Sequence, residues 1–423
     1  MPAQRLLCLM LLAATLSACG VPTARNGADP GATSAAVAPD VKAVAASLSD
    51  AGAREVAAGI NALGFDLLHE LMAKAEPGEN VVISPISAAV LLTLLRAGAG
   101  ESAGTAINKV LSLDADAGEE ADRDFAALLY RLRDTEDIEL SVANALFAAP
   151  GYPLEASFIQ RTGRSFEATL ENADLGSQEA ADRIDEWVTD KTEGLITSFA
   201  EQLGLPDPQA VVVLLNAVYF KGTWTTQFDP ANTQEGGTFT LDDGTTVDVP
   251  LMSDYELEIG FRQGGTGILG RLPYGAEKRY AMEILLPNPD RTLADTVKGL
   301  DAPAWADLTT DLVEEAIPVT LPRFETEWAD SLDDPLKSLG MGPAYSDDYA
   351  PMSPNAPFLS TIQQKTFIKV DEKGTEAAAV SGGVMLESAP AAELRVDRPF
   401  VFAITDSQTG AILFLGAIAD PTA

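Results

Sequence analysis

The chain has 423 residues, 46% of them hydrophobic, so it is long and apolar enough to bury a large core in one large domain or two moderate ones. It carries 63 acidic against 28 basic residues, and the net charge of −35 repels both phosphate backbones and anionic lipid surfaces. We therefore expect no nucleic-acid partner.

Residues 1–19 predict an export signal. Arg5 precedes an apolar run from Leu6 to Leu16 that is too short to span a membrane stably. The end of this run, Leu16-Ser17-Ala18-Cys19, resembles the bacterial lipobox, whose Cys receives a diacylglycerol. The alternative is an ordinary signal peptide with a coincidental Cys. We expect the chain to be exported, and to be either anchored to the bacterial cell envelope through lipid on Cys19 or released extracellularly.

Residues 20–52 are rich in Ala, Gly, Pro and Ser and have little to bury, so we predict a flexible tether. The globular domain is then residues 53–423. Cys8 and Cys19 are the only cysteines in the sequence, so this domain has neither a free thiol nor an internal disulfide.

Helical patterns dominate the first part of the domain. Apolar residues from Val56 to Leu71 recur at helical spacing, which predicts an amphipathic helix ended by Pro77-Gly78. The segment "NVVISPISAAVLLTLLRAGAG" predicts a short strand, a turn at Ser84-Pro85 and a helix that is buried on all sides. Acidic helices follow to about residue 137, then the strand "ELSVANALFAA" and the helix "EAADRIDEWVTDKTEGLI".

From residue 211 onward, strand patterns dominate. The run "VVVLLNAVYF" is typical of the middle of a large sheet, and Asp243-Gly244 predicts the turn of a hairpin. Further strands are predicted at "YAMEILLP", "IPVTLPRF", "TFIKV", "PFVFAI" and "AILFLGAI". Helices first and strands mainly later indicate an α+β domain with large, largely antiparallel sheets.

The sequence contains no specific catalytic pattern. The single histidine, His69, lies among leucines at helical spacing, and we interpret it as structural. No Gly-x-Ser-x-Gly elbow, Ser-x-x-Lys pair or phosphate-binding Gly-rich loop occurs. One His and no Cys in the domain exclude the usual zinc sites, and nothing specific supports chemistry by carboxylates alone. We expect that the chain is not an enzyme and needs neither a metal nor a cofactor.

The stretch "KVDEKGTEAAAVSGGVMLESAP", residues 369–390, joins two strand-like segments through mostly small residues. Ala and Glu favour helix, but Ser381-Gly382-Gly383 would end a helix after barely two turns. One interpretation is a long surface loop. The other is a segment that is kept small because it must later fit into a tight space.

Motifs along most of the chain resemble the serpin family. They occur in the family's order from about residue 53 to the C-terminus: "NVVISPISAAVLLTLLRAGA", "ANALFA", "IDEWVTDKTEGLI", "VLLNAVYFKGTWTTQFDP", "LPYG", "MEILLP", "LPRFETE", "LGM", "VDEKGTEAAA" and "DRPFVFAI". The resemblance implies a serpin fold, an α+β architecture with three mainly antiparallel β-sheets, eight or nine α-helices and an exposed reactive loop at about residues 373–393.

The resemblance also implies a mechanism for this loop. A serine protease attacks the loop, forms an acyl-enzyme and is carried away as the cleaved loop inserts as a new strand in the main sheet. The hinge of the loop comprises Glu372, Gly374, Thr375, Glu376, Ala377, Ala378 and Ala379. Alternate side chains of a strand face opposite sides, and the residues that would face the core are all small: Thr375, Ala377, Ala379, Ser381 and Gly383. An extended insertion from Gly374 to Ser388 would span roughly 45 Å at about 3.3 Å per residue.

The family pattern places the reactive bond between Ser388 and Ala389, after the loop specificity residues Met385, Leu386 and Glu387. The small Ser388 suits an elastase-like or subtilisin-like protease. If the register slips, Leu386 suggests a chymotrypsin-like target and Glu387 a glutamyl-specific one.

Two further groups are carried over from the family. The shutter, whose polar side chains hold the two central strands together until insertion, corresponds to Ser84, Ser87, Asn216 and Gln364. Gln364 stands where the family usually has His, and Gln keeps a donor and an acceptor without the pH sensitivity of His. Arg323 and Glu372 match a charge pair at the top of the sheet.

The small hinge residues favour an inhibitor that traps a serine protease as a suicide substrate. The alternative is a non-inhibitory serpin with a carrier, chaperone or structural role in the envelope. Such relatives tend to have bulky, charged or Pro residues in the hinge. We expect the chain to be a monomer.

Overall fold

The structure, a computed structural model, describes residues 47–135, 138–346, 348–375 and 392–423, all within the compact unit Val37–Ala423. The predicted export signal with Cys19, and the loop residues from Glu376 to Ala389, lie outside the described residues. No helix in the described ranges is both long and apolar enough to cross a bilayer.

Nine α-helices are assigned within these ranges. They are α1 (Asp50–Met72), α2 (Pro85–Ala97), α3 (Glu101–Val110), α4 (Glu119–Arg133), α5 (Ala156–Phe166), α6 (Gln178–Lys191), α7 (Leu293–Lys298), α8 (Ala302–Thr309) and α9 (Asp333–Leu336). Helix α1 starts three residues before Ala53, because the side chain of Ser49 caps it by accepting from the Gly52 N–H. Helix α2 is buried along nearly its whole length, as its apolar sequence predicts.

Fifteen strands are assigned in the same parts of the chain. They are β1 (Val81–Ile83), β2 (Ile138–Ala148), β3 (Thr169–Asn172), β4 (Val212–Thr223), β5 (Gln234–Thr240), β6 (Thr246–Gln263), β7 (Gly267–Pro273), β8 (Tyr280–Pro287), β9 (Val313–Pro322), β10 (Phe324–Ser331), β11 (Gln363–Val370), β12 (Gly374–Thr375), β13 (Leu394–Arg395), β14 (Phe400–Asp406) and β15 (Ile412–Ile418). The predicted turn at Asp243-Gly244 lies between β5 and β6.

The largest sheet has nine strands in the order β1-β15-β14-β8-β7-β6-β9-β13, with β5 paired to β6. Its centre is fully buried, since every residue of β8, β14 and β15 is buried, and all of them are non-polar except Tyr280, Glu283, Thr405 and Asp406. Most of the pairs are antiparallel, and the β9–β13 pair is parallel. This sheet and the helices around α1 and α2 form the main core.

Two smaller sheets position the functional site. One has the order β12-β4-β2-β3, and β4 pairs with β2 along its length, from Gly222–Ile138 to Val212–Ala148. The other contains only β10 and β11, paired from Phe324–Val370 to Ser331–Gln363. Over the described ranges, no ladder of backbone hydrogen bonds joins β4 to β11.

Helix α6 and the segment that follows it cover the outer face of β4. Ile184, Trp187 and Val188 of α6 pack with Phe199 and with alternate residues of β4 in a second hydrophobic cluster. The other face of β4 packs on the main core. Both faces of β4 are covered, and among the described residues one of its edges has no ladder partner beyond Gly222. A further strand would therefore pair with β4 at that edge.

Candidate functional site

The space between β4 and β11, here called the central gap, contains a cavity of about 60 Å³. Residues 214–218 of β4 and 363–366 of β11 form its two sides. Ser84 and Leu91 line it from the region of α2, and Phe199 lines it from the segment after α6. The cavity is therefore enclosed on four sides by protein, and it has the volume of only a few water molecules.

The predicted hinge closes one end of the central gap. Gly374 pairs with Thr223 and Thr375 pairs with Gly222, both antiparallel. Gly374 has a φ of +146°, and a Cβ there would clash with the carbonyl oxygen of Gly222, so glycine is required. The first residues of the loop that we predicted to be exposed are thus already part of a sheet, and Thr375 is only 5% exposed.

Thr375 is held by a tyrosine on the neighbouring sheet. The Tyr274 hydroxyl and the Thr375 hydroxyl lie 3.0 Å apart. Burial raises the pKa of the Tyr274 phenol, so this hydroxyl stays protonated at physiological pH and keeps its hydrogen for the contact. The Tyr274 ring stacks on Trp224 with a centroid distance of 4.4 Å and an interplanar angle of 9°. The inward face of the hinge therefore rests on an aromatic pair.

Trp224, directly after β4, also ties β4 to the chain leaving β11. Its backbone N–H donates to the Lys373 carbonyl at 2.8 Å, and its indole Nε1–H donates to the Asp371 carbonyl at 3.0 Å. The Phe228 N–H donates to the Glu372 carbonyl at 2.8 Å. The turn from β11 into β12 is thus fastened to the end of β4 by main-chain acceptors.

The structure places the predicted pair Arg323 and Glu372 in contact. Arg323 donates to Glu372 Oε1 at 3.2 Å, and the hydroxyl of Thr233 donates to the same oxygen at 2.7 Å. The guanidinium also donates to Glu235 Oε2 at 2.9 Å, so it bridges two carboxylates. The Glu372 side chain is 9% exposed and that of Arg323 37%, so the pair is partly shielded from solvent.

Two of the predicted shutter residues are joined by reciprocal hydrogen bonds. Gln364 Oε1 accepts from the Ser84 N–H at 3.1 Å, and Gln364 Nε2 donates to the Ser84 carbonyl at 3.0 Å. The Ser84 hydroxyl donates to the Leu413 carbonyl at 2.8 Å and caps α2 by accepting from the Ser87 N–H. The Gln side chain therefore fixes β11 to the start of α2.

Asn216 does not complete this network. Its amide donates to Asn144 Oδ1 at 2.9 Å and to the Ala143 carbonyl at 3.3 Å, both on β2. Its Oδ1 atom is buried and has no hydrogen-bond partner among the residues that the structure describes. Among the described residues, no hydrogen bond joins the Asn216 side chain to β11, and its amide binds instead to Asn144, which lies opposite Asn216 on β2.

Several contacting residues were not predicted from the sequence. Trp224 and Tyr274 lie inside the quoted motifs "VLLNAVYFKGTWTTQFDP" and "LPYG". The motifs could therefore have drawn attention to these two residues, but the sequence assigned them no role. Thr366, whose hydroxyl donates to the Val82 carbonyl at 2.6 Å, had no such signal. His69 lies away from the site, with Nε2 2.9 Å from the Val297 carbonyl.

The remaining predicted site residues belong to the loop after Thr375. Glu376 and Ala377 to Ala379 of the hinge, the specificity residues Met385 to Glu387, and the bond between Ser388 and Ala389 lie outside the described residues. Across the described ranges, no group of three or more His, Cys, Asp or Glu side chains is arranged to hold a metal ion.

Comparisons with known proteins agree with this architecture. A family model described as "Serpin (serine protease inhibitor)" matches residues 58–421. Serpin-Z10 of Arabidopsis thaliana is 31% identical over 373 residues, which cover 84% of this chain and 95% of that protein. Iripin-3 of Ixodes ricinus is 34% identical over 374 residues, which cover 85% of this chain and 93% of that protein. The solved structure of a thyroxine-binding globulin complex with thyroxine aligns with a TM-score of 0.78 and 26% identity, over 86% of this chain and 99% of that one. These alignments confirm the predicted fold.

Proposed function

Because the chain belongs to the serpin family of serine protease inhibitors, we propose that it inhibits a serine endopeptidase as a suicide substrate. The catalytic serine of the protease attacks the carbonyl carbon of Ser388, the peptide bond to Ala389 breaks, and Ala389 leaves with a new amino terminus. Ser388 remains bound to the protease as an ester. Insertion of the loop into the central gap then traps the enzyme before water cleaves this ester.

The observation that carries the proposal is the pairing of the hinge with a strand edge that has no other ladder partner among the described residues. Gly374 and Thr375 pair with the last two residues of β4, Thr223 and Gly222, and no other described strand pairs with this edge of β4. A loop that continues from Thr375 in the same direction enters the space between β4 and β11. The small residues that follow in the sequence suit this narrow space.

Two independent registers predict where the inserted residues would lie. Gly374 pairs with Thr223 of β4, and seven residues further the antiparallel pairing brings Ser381 opposite Asn216. Gly374 also forms an antiparallel bridge with Asp371, which directly follows β11. Seven residues back from Asp371 is Gln364, so an antiparallel pairing in this register brings Ser381 opposite Gln364. Both counts put Ser381 between Asn216 and Gln364.

This position gives Asn216 the partner that it lacks. The Ser381 hydroxyl would donate to Asn216 Oδ1, which is buried and unpaired within the described ranges. Satisfying such a buried acceptor is worth about 1–3 kcal/mol. A further dozen ladder hydrogen bonds at about 1 kcal/mol each bring the gain from insertion to the order of 10 kcal/mol. The uncleaved protein would therefore be metastable.

We infer the target class from the loop sequence alone. Ser388 suits an elastase-like or subtilisin-like specificity pocket, while Leu386 and Glu387 favour chymotrypsin-like and glutamyl-specific enzymes if cleavage is shifted. Digestion followed by mass spectrometry distinguishes these cases, because the assigned bond gives a C-terminal fragment that begins at Ala389. A fragment that begins several residues away would reject the assigned register.

We also propose that the monomeric inhibitor is exported and held at the bacterial envelope through lipid on Cys19. Residues 20–52 would then serve as the tether. Stable anchoring needs two or more acyl chains, each contributing about 0.8 kcal/mol per buried methylene. The Cys19→Ser variant tests this, because it should leave the membrane fraction, and unchanged membrane retention would rule out Cys19 as the anchor.

A panel of serine proteases tests the inhibitory function directly. We expect at least one elastase-like or subtilisin-like enzyme to form a complex with the chain that survives denaturing electrophoresis. The same incubation with catalytically blocked protease is the control, because no acyl bond can form. Cleavage without any complex would favour the alternative, a non-inhibitory serpin with a carrier, chaperone or structural role.

A further inference from the structure

The first described residues of the chain are fastened to helix α4. Leu48 is 7% exposed, and it packs so closely on Gly52 that a Cβ added at residue 52 would lie 2.8 Å from Leu48 Cδ1. Arg131, in the last turn of α4, donates to the Leu48 carbonyl and, at 2.8 Å, to Asp50 Oδ1. The predicted tether therefore joins the folded domain at a fixed point beside the end of α4. We call this point, residues 48–50, the tether root.

The C-terminal end of α4 is itself bound to the start of β8. The carbonyls of Arg131 and Asp134 accept from the Arg279 guanidinium at 2.8 and 2.9 Å. The Leu132 carbonyl accepts from the Tyr280 hydroxyl. These contacts satisfy carbonyl groups that the end of a helix leaves without partners. The end of α4, and the tether root with it, is therefore held at the level where β8 begins.

The hinge lies at this same level. The centroid of the Tyr280 ring is 6.2 Å from that of Phe220, and the centroid of Phe220 is 5.2 Å from that of Tyr274. The Tyr274 hydroxyl contacts Thr375 of the hinge. The strand β2, which begins five residues after α4 ends, starts opposite Gly222, and Gly222 also pairs with Thr375. The tether root and the hinge are therefore at one end of the central gap, the hinge end.

The reactive loop also returns to the domain at the hinge end. The strand β13, which follows the loop, pairs Arg395 with Thr320 of β9. Three residues further along that chain, Arg323 binds Glu372 of the hinge. The described residues on both sides of the loop thus lie at the end of the gap where the tether joins the domain.

The length of the predicted tether makes this placement matter. Residues 20–47 form a flexible chain whose r.m.s. end-to-end distance is about 30 Å. The far end of the central gap is more distant than this, because β4 alone spans about 40 Å over its 12 residues. Contact of the far end with the bilayer would stretch the tether beyond its usual length, and such arrangements are disfavoured.

We propose that the anchored protein turns the end with its reactive loop toward the bilayer, and that its partner is a serine protease held at the same membrane surface. This inference rests on the proposed function, because it needs both the loop and the lipid on Cys19. A protease at the bilayer meets the loop directly, whereas a free enzyme must first enter between the domain and the membrane.

The test anchors the same domain from either end on phosphatidylcholine vesicles. The natural form is the lipidated full-length chain. The reversed form carries Cys8→Ser, Cys19→Ser and Phe358→Cys, and its single thiol is coupled to a maleimide phospholipid through a polymer spacer of about 30 Å mean length. Phe358 suits this coupling because it is 70% exposed and precedes β11, which begins at the far end of the gap.

Loop cleavage is measured with subtilisin free in solution and with lipid-anchored subtilisin on the same vesicles. The ratio of the anchored to the free rate cancels any difference in how easily the two forms are cut. We expect this ratio to be roughly tenfold higher for the natural form, and equal for both forms once detergent dissolves the vesicles.

Equal ratios on intact vesicles, or a higher ratio for the reversed form, would overturn the proposal. Cleavage with the expected ratios but without any trapped protease would refute the inhibitory function and support the orientation. A natural form that does not bind vesicles would refute the lipid anchor and this proposal together.

Discussion

The two parts of the central gap differ in how their polar groups are satisfied. At the Thr223 end, hinge residues, Trp224 and Tyr274 fill the space, and the hydrogen bonds run through main-chain groups and a buried hydroxyl pair. In the middle, β4 and β11 flank a cavity of about 60 Å³, and Asn216 Oδ1 lacks a partner within the described ranges.

For the proposed loop insertion, this difference indicates where the barrier lies. The end of the gap is already occupied, so the first two residues of the incoming strand need no further opening of the sheet. In the middle, Gln364 binds the backbone of Ser84, and among the described residues no ladder of hydrogen bonds joins β4 to β11. Substitutions that detach the hinge from β4 should therefore have the largest effects. Substitutions in the middle of the gap should change the rate of loop insertion or the stability that insertion adds.

The largest effect is expected at Thr375. Thr375→Arg places a charge against the buried Tyr274 ring, at a cost of several kcal/mol, and should eject the hinge from β4. The inhibitor should then become a substrate that is cleaved without trapping its protease. Thr375→Ser keeps the hydroxyl and is the control. The stoichiometry of inhibition measures the effect, and an unchanged value in the Arg variant would reject the insertion model.

Charge reversal at Glu372 should have the next largest effect. Glu372→Lys faces Arg323 with a like charge and loses the bond from Thr233, which should open the end of the gap to the loop of another molecule. We expect polymers on mild warming, measured by size-exclusion chromatography. Adding Arg323→Glu should restore the monomer only in part, because Glu235 remains beside position 323. A single variant that stays as monomeric as the parent would show that the pair does not guard the sheet.

A smaller effect is expected from Gly374→Ala. The added methyl group would clash with the Gly222 carbonyl and force an unfavourable backbone conformation, so β12 should detach from β4 without any change in charge. Hydrogen exchange at Thr375 and inhibition rates report this detachment. Parental protection of the Thr375 amide would contradict it. Gly244→Ala, at a φ of +82° in a turn where a Cβ would meet no atom within 4 Å, is the control for a positive φ without a clash.

The smallest effect concerns the middle of the gap. Asn216→Ala removes two hydrogen bonds to β2 and leaves the buried Asn144 Oδ1 without that donor, so it should destabilise both the uncleaved and the cleaved form. The free energy of unfolding of the cleaved form should fall by about 1 kcal/mol more than that of the uncleaved form, because the hydrogen bond expected from Ser381 is lost as well. Urea unfolding midpoints of both forms give the comparison, and equal shifts in the two forms would contradict the assigned register.

The sequence predicted the elements better than their contacts. Apolar periodicity and turn residues located α2, β4 and the β5–β6 hairpin because these depend on local sequence. The stacking of Trp224 on Tyr274 joins residues 50 positions apart, and no local pattern specifies it. Likewise, the partner of Asn216 depends on the register between β2 and β4, which is set by the whole ladder and not by the residues around Asn216.

The most direct test of loop insertion is a disulfide between Asn216→Cys and Ser381→Cys, in a chain that also carries Cys8→Ser and Cys19→Ser. Directly opposite residues on antiparallel strands have Cα atoms about 4.5–5.5 Å apart, within the range that a disulfide spans. The cysteines should form a bond under mild oxidation after the loop is cleaved, and not before. Ala217→Cys with Ser381→Cys is the control, because residue 217 faces the opposite side of β4. A bond that forms equally well before cleavage, or fails to form after it, would contradict insertion in this register.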